Sequence, residues 1–299
     1  MSAVGRLRTR LVNAALGFDP RRMLIELQET QNQRNEQLAF VSRRLSAELE
    51  LLRADRDELD TLRSGLAAVR RSAAYKKAIE QSEPLVSVRI ASYQKTEELM
   101  DVAIASVLAQ TYQRFELIVV NDGPNEKTRA AIQSLGDKRI RYEEFPERTV
   151  YPTDEHARWM IAGARGMNHG ASLATGAWIA PLDDDDAFTA DHLEKLVALA
   201  RERQVELAYG AVQQRNLVTR QQHRIFSSPP AISQFSFQGA IYLRALNDVF
   251  RYDESSWIVD EPGDWNLIRR MSAAGVSMAG VDDVVAVMYQ IPYTHKGSH

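Results

Sequence analysis

Residues 178–188, WIAPLDDDDAF, carry an apolar run straight into four consecutive aspartates. Trp178 to Leu182 reads as a strand that a core could bury, and Asp183, Asp184, Asp185 and Asp186 stand where it ends. Four like charges in one turn cost free energy unless a solvated turn, a helix N-terminus or a cation receives them. Taken alone the run suits a turn or cap, with Asp186 or Asp191 capping the next helix, as well as it suits a metal.

Outward from this segment, from SEPLVSVRIASY (82–93) onward, short β-branched runs alternate with helical patterns. Residues 86–90, 115–120 and 140–143 read as strands, and 97–109, 125–134, 157–174 and 192–203 as helices. This βαβαβ rhythm predicts an α/β sandwich around a mainly parallel sheet. In such sheets ligands gather beyond the carboxyl ends of the strands, so ASYQK (91–95), NDGP (121–124) and DDDDAF (183–188) are the informative loops.

The first of these loops has no glycine. A dinucleotide site needs GxGxxG there and a phosphate loop GxxxxGK[ST], because only glycine lets backbone amides close on phosphate. A nucleotidyltransferase likewise calls for a glycine- and Arg/Lys-rich loop that is missing. Carboxylates holding Mg2+ or Mn2+ offer another way to neutralise a diphosphate, since these hard ions take oxygen ligands and keep several waters.

Composition narrows the rest. The chain has 299 residues, 44% of them hydrophobic, as in an ordinary globular protein. A net charge of -3 gives no global basis for nucleic-acid binding. There is no cysteine, so disulfides, thiolate metal sites and a cysteine nucleophile are excluded. No apolar run reaches the length of a membrane span, and the start lacks a signal-peptide core. The expectation is a cytoplasmic protein, with peripheral contact at the inner face of the plasma membrane left open.

Residues 1–82 have a different texture, rich in Leu, Arg, Glu, Gln and Ala and poor in aromatics, and form a helical region distinct from a domain over 83–299. Leu38, Leu45, Leu52, Leu59 and Leu66 recur every seven residues, the seam of a coiled coil and of a homo-oligomer. Arg56, Arg63 and Arg70 interrupt the companion positions, so a long amphipathic helix packed on its own domain is the other reading. Arg6, Arg8, Arg10, Arg21 and Arg22, interleaved with Leu7, Leu11 and Phe18, suit either an anionic lipid surface or a solvated basic face.

PLVSVRIASYQKTEELMDVAIASVLAQTYQRFELIVVNDG (84–123), NHGASLATGAWIAPLDDDDAF (168–188) and GDWNLIRRMSAAG (263–275) together resemble a family 2 glycosyltransferase of the GT-A fold, over about Pro84 to Ser298. The resemblance implies a Rossmann-like domain that transfers a sugar, with inversion, from a nucleotide diphosphate donor to a hydroxyl of a glycan or lipid-linked glycan. It implies that Ser92 and Tyr93 line the nucleoside pocket and that Asp122 accepts a hydrogen bond from the base, which suits UDP or dTDP. Asp185 is implied as the ligand of Mn2+ or Mg2+, with Asp183 and Asp184 meeting the metal, its water or the ribose. Asp264 matches the general base, and His295 a late loop that closes near the metal or diphosphate.

Arg158, Trp159 and Arg165, ahead of the family-like Asn168, are candidates for diphosphate or sugar contact. Three departures stand out: Arg89 where the family commonly has an apolar residue, Ala91 where it has proline, and Asn121 where it often has aspartate. Asp264 has a simpler reading as a helix N-cap, and the aromatics of 210–260 suggest an acceptor groove or ordinary core. From a different class, a coiled-coil scaffold whose transferase-like domain binds without turnover competes with the enzyme reading.

Overall fold

A computed structural model describes residues 20–290. It divides into two compact units at Asp57 and Glu58. In the first, the described chain is the N-terminal part of a long helix, α1 (Pro20–Arg71), on which Leu24, Leu27, Leu38 and Val41 are exposed. The basic segment before Pro20, His295 and the side chains of Leu45 and Leu52 lie outside the described residues.

The second unit starts with the end of α1, where Val69 is buried and Leu62 and Leu66 join the same core as the sheet. Here the alternative reading of the leucine repeat holds, since Leu66 faces the protein's own domain. Arg70 fixes the helix end by donating from Nε and Nη2, each at 2.7 Å, to the two carboxylate oxygens of the fully buried Glu206. Tyr75, on α2 (Ala73–Glu80), donates to the same carboxylate at 2.8 Å.

The sheet comprises β1 (Val86–Ser92), β2 (Phe115–Asn121), β3 (Ile140–Glu144), β4 (Trp178–Asp183), β5 (Ala187–Phe188), β6 (Leu207–Asn216), β7 (Gln222–Ile225), β8 (Ala240–Leu243) and β9 (Met278–Gln290). Its order is β3-β2-β1-β4-β8-β6-β9-β5, with β7 paired to β6. The helices between are α3 (Glu126–Ser134), α4 (Glu155–Ile161), α5 (Ala164–Leu173), α6 (His192–Arg203) and α7 (Gly263–Ala274). A further helical run, Thr96–Leu108, winds as a π-helix over Leu99–Ile104.

Strands β1 to β4 pair in parallel, as the βαβαβ rhythm predicts. Beyond β4 the sheet is mixed: β8 runs antiparallel to both β4 and β6, while β9 runs parallel to β6. The expectation of a mainly parallel sheet therefore holds for one half. The other half is built from a β6–β7 hairpin and the four-residue β8, which is buried at every position and so carries no alternation to read. Several aromatics of that region fill the core, Phe237 and Tyr242 being each 1% exposed with ring centroids 6.0 Å apart, while Trp257 is exposed.

Candidate functional site

The register of the parallel strands brings three loops to one edge. Ser92 lies beside Asn121, and Ala91 beside Asp183, so ASYQK, NDGP and the aspartate run open together. They border a cavity of about 480 Å³ lined by Ser92, Tyr93, Lys95, Asp122, Asp183, Asp184 and Asp185, with Arg148, Tyr151, Arg158 and Trp159 on its other walls. Small residues let helix α5 approach the floor of this edge, since a Cβ on Gly166 would stand 3.1 Å from the Ala91 methyl.

The four aspartates do not act as one group. Asp183 accepts from Gln238 Nε2 at 2.6 Å, and Asp184 from the Tyr93 amide at 3.2 Å. Asp185 accepts from Lys95 Nζ at 2.6 Å, and the same ammonium lies 3.3 Å from Asp184. Gln94, just before it, turns the chain with a φ of 56°, a left-handed conformation that strains a non-glycine residue. Asp186 points away and accepts from the Tyr289 amide at 2.7 Å, fastening β9 to the end of β4. Asp186 thus does not cap helix α6, and Asp191, at the N-cap position, makes no side-chain cap bond.

Burial dominates the electrostatics. It pushes the Asp183 carboxyl well above the ordinary aspartate range, and the neighbouring Asp186, Asp264, Asp184 and Asp185 push the same way. Asp184 is raised by burial while Lys95 pulls it back. Burial and Asp185 bring Asp186 to about 7. The cluster is a place where added positive charge lowers the free energy, and Lys95 already supplies one.

The donor set fits Mg2+ or Mn2+. It offers only carboxylate oxygen, and Lys95 Nζ marks a point that Asp184 and Asp185 hold a cation between them. Among the described residues no three acidic or histidine side chains converge, so protein would contribute one or two ligands and water or substrate the rest.

Asp122 is buried and already engaged. It accepts from the Thr149 amide at 2.9 Å, the Thr149 hydroxyl at 2.6 Å and the Tyr151 hydroxyl at 2.8 Å. These bonds draw residues 148–151 over the cavity and set the Arg148 guanidinium 4.0 Å from the Tyr93 ring centroid. Gly123 allows the approach: its φ is 105°, and a Cβ there would stand 3.2 Å from the Arg148 amide. Arg148 and Tyr151 were not legible in the sequence. Arg165, a sequence candidate, is not among the cavity's lining residues; it stacks 4.3 Å over Phe145 and donates at 3.5 Å to the Thr149 hydroxyl, which in turn donates to Asp122. Arg158 and Trp159 do line it.

Asp264 lies in the first turn of α7, yet it does not cap it, the N-cap position being Pro262. Its carboxylate instead accepts from the Tyr252 hydroxyl at 2.9 Å and the Phe237 amide at 3.3 Å. Burial raises its pKa, against the bonds from Tyr252 and Phe237 and the charge of Arg89. Asn168 holds Tyr252 by both backbone groups, donating to its carbonyl and accepting from its amide, each at 2.9 Å. Lys95 pairs with Asp184 and Asp185, whereas Asp264, beyond the cavity lining, is held by Tyr252 and Phe237, so the two sets of carboxylates are differently partnered.

The model of glycosyl transferase family 2 matches residues 87–253, more than half of the chain. The chain belongs to this family. Among curated proteins it resembles the Escherichia coli UDP-Glc:alpha-D-GlcNAc-diphosphoundecaprenol beta-1,3-glucosyltransferase, 34% identical over 42% of this chain and 45% of that protein. The match thus spans less than half the length of that relative. Among solved structures, S. aureus TarS in complex with UDP-GlcNAc aligns with a TM-score of 0.55 at 14% identity, over 70% of this chain and 60% of that one. A mannosyltransferase from Pyrobaculum calidifontis, in complex with GDP-Man and Mn2+, aligns with a TM-score of 0.52 at 15% identity, over 79% and 70%. At those identities the shared property is the fold. The family match ends before Asp264, which is not among the cavity's lining residues but whose charge acts on Asp183.

Proposed function

We propose that this family 2 domain is a metal-dependent inverting glycosyltransferase that moves a sugar from a nucleotide diphosphate donor, UDP or dTDP by preference, to a hydroxyl of a lipid-linked or surface glycan. The observation that carries the reading is the division of the carboxylates: Asp184 and Asp185 share a cation, while Asp264 is held by neutral donors. A diphosphate needs the first arrangement and an acceptor hydroxyl the second. The E. coli relative, by its name, uses a UDP-sugar and a diphospholipid-linked acceptor, which supports both substrate classes.

In this reading Ser92, Tyr93 and Asp122 bind the nucleoside, with Arg148 and Tyr151 closing the pocket over it. Asp185, with Asp183 or Asp184, holds Mn2+ or Mg2+, which when bound neutralises charge on the departing diphosphate. Lys95 stays within reach of the same negative charge. Asp264 takes the acceptor proton as its oxygen attacks the anomeric carbon from the face opposite the diphosphate. The bond to the diphosphate oxygen breaks with its electron pair, and the configuration inverts. The apolar residues exposed along α1 before Asp57 support self-association through that helix, which light scattering on the full chain and on a variant lacking residues 1–57 checks.

A thermal-shift panel tests the binding reading: UDP, dTDP, GDP and CDP, each with and without Mn2+, on wild type and Asp185→Ala. At a hundredfold excess over Kd a ligand of the native state stabilises it by about 2.7 kcal/mol. One nucleotide that stabilises wild type only with Mn2+, and not Asp185→Ala, is the expected result. No response to any nucleotide contradicts the reading and favours a scaffold.

A further inference from the structure

Arg89 stands in the middle of β1, is 1% exposed, and two of its guanidinium nitrogens, Nε and Nη2, have no hydrogen-bond partner. No carboxylate forms an ion pair with it among the described residues, so a positive charge is held in the core with the Tyr252 and Tyr242 phenols about it and Asp264 within reach of its field. Such a group costs several kcal/mol unless a field offsets it. A leucine or methionine would fill the same strand position without that cost.

The phenols of Tyr252 and Tyr242 both act on the guanidinium, and the Tyr252 ring faces it. The guanidinium carbon lies 5.1 Å from the centroid of the Tyr252 ring, close enough for the ring to be attracted to the cation. Phe237 packs against the same ring, with centroids 5.9 Å apart, and Asn168 clamps the Tyr252 backbone. Gly170 on α5 leaves the room this requires, since a Cβ there would stand 3.4 Å from Arg89 Cβ. The ring so fixed delivers its hydroxyl to Asp264 at 2.9 Å.

We propose that Arg89 is a positioning residue for the transfer step: it holds the Tyr252 ring so that its hydroxyl aims the Asp264 carboxylate, and its buried charge offsets the negative field of the aspartates around that carboxylate. The proposal rests on Asp264 as the base. Arg89 touches no reacting atom and acts through Tyr252. A cation without an ion pair can serve a cluster of acids at a distance, whereas a paired one would be neutralised locally.

The test measures kcat, donor KM, donor Kd and melting temperature for wild type, Arg89→Met, Arg89→Lys, Tyr252→Phe and the Arg89→Met/Tyr252→Phe double variant, with Asp264→Asn as a reference. Methionine fills the cavity and removes a buried charge without an ion pair, so the fold is expected to melt at or above the wild-type temperature. Expected is a fall of at least tenfold in kcat for Arg89→Met with donor Kd within twofold. Arg89→Lys recovers part of the loss, and the double variant loses less than the product of the single effects because both act through one path.

Unchanged kcat in Arg89→Met, or equal losses in kcat and donor binding, overturns the proposal. Should Arg89→Met not fold, Tyr252→Phe and Arg89→Lys decide, and wild-type kcat in both overturns it. An active Asp264→Asn defeats the base reading and this inference with it. An inactive Asp264→Asn beside a fully active Arg89→Met defeats this inference alone.

Discussion

Tyr252 donates its hydroxyl to Asp264 at 2.9 Å, and the donor and acceptor come from different segments that meet only in the folded chain. With the Phe237 amide this hydroxyl engages the carboxylate, which makes no cap bond to its own helix. It also opposes the effect of burial on its proton affinity.

The pH dependence of turnover follows from that balance. Burial raises the Asp264 pKa, so with Asp264 as the proposed base the acid limb of kcat is expected above the ordinary aspartate value of about 3.9. A base works only when deprotonated, hence activity falls as pH drops through the raised value. Tyr252→Phe removes a bond that stabilises the charged form, and the limb moves to still higher pH. A kcat profile for both proteins checks this, and coincident limbs speak against it.

Lys95 stands between Asp184 and Asp185 as their local cation. With Lys95→Met the two carboxylates face each other unpaired, and stability falls by about 1–2 kcal/mol, the partly exposed setting limiting the loss. Mn2+ then restores melting temperature more in Lys95→Met than in wild type, because the ion no longer competes with the ammonium. Equal responses to Mn2+ in calorimetric scans would count against a shared cation position.

Glu206 anchors the end of α1. It is fully buried, and its pKa is lowered on balance: burial raises it, and the bonds from Arg70, Ser277 and Tyr75 outweigh that. A carboxylate with a depressed folded pKa contributes stability above its unfolded pKa and loses that contribution as pH falls through the folded one. Arg70→Met is expected to cost about 2–3 kcal/mol near neutral pH by leaving a buried charge without its partner. The difference from wild type shrinks as pH falls through the depressed folded pKa of Glu206. Denaturant melts at pH 7 and pH 3.5 measure both effects, and a constant difference refutes the assignment.

Where sequence carried the architecture, it did so through contiguous signals. The apolar run ending at Asp183, the β-branched run ending at Asn121 and the one ending at Ser92 each mark a strand and a strand end, and the parallel half of the sheet follows from them. The antiparallel half did not, because β8 is short and buried at every position. Partners across the site were also invisible. Lys95 meets Asp185 from 90 residues away and Gln238 meets Asp183 from 55, and no local pattern encodes either.

Two arginines illustrate the same limit. Arg165 lies at a helical spacing compatible with the cavity but stacks on Phe145 instead, while Arg148, in a loop without periodicity, stands over Tyr93. Arg89 was conspicuous as a charge in an apolar strand. The group facing it proved to be the ring of Tyr252 and not a carboxylate of the cluster, a contact that only the packing of α5 against β1 reveals.

In the proposed reaction Asp264 removes the acceptor proton while the aspartate cluster and Lys95 hold the donor. Asp264→Asn tests it most directly, because asparagine keeps the shape and removes the basicity. Donor binding by calorimetry is expected to stay within twofold of wild type, while release of nucleoside diphosphate in the presence of a lipid-linked glycan acceptor drops by about 10²–10⁴-fold, the usual range for loss of a general base. Turnover by Asp264→Asn at the wild-type rate would contradict the claim.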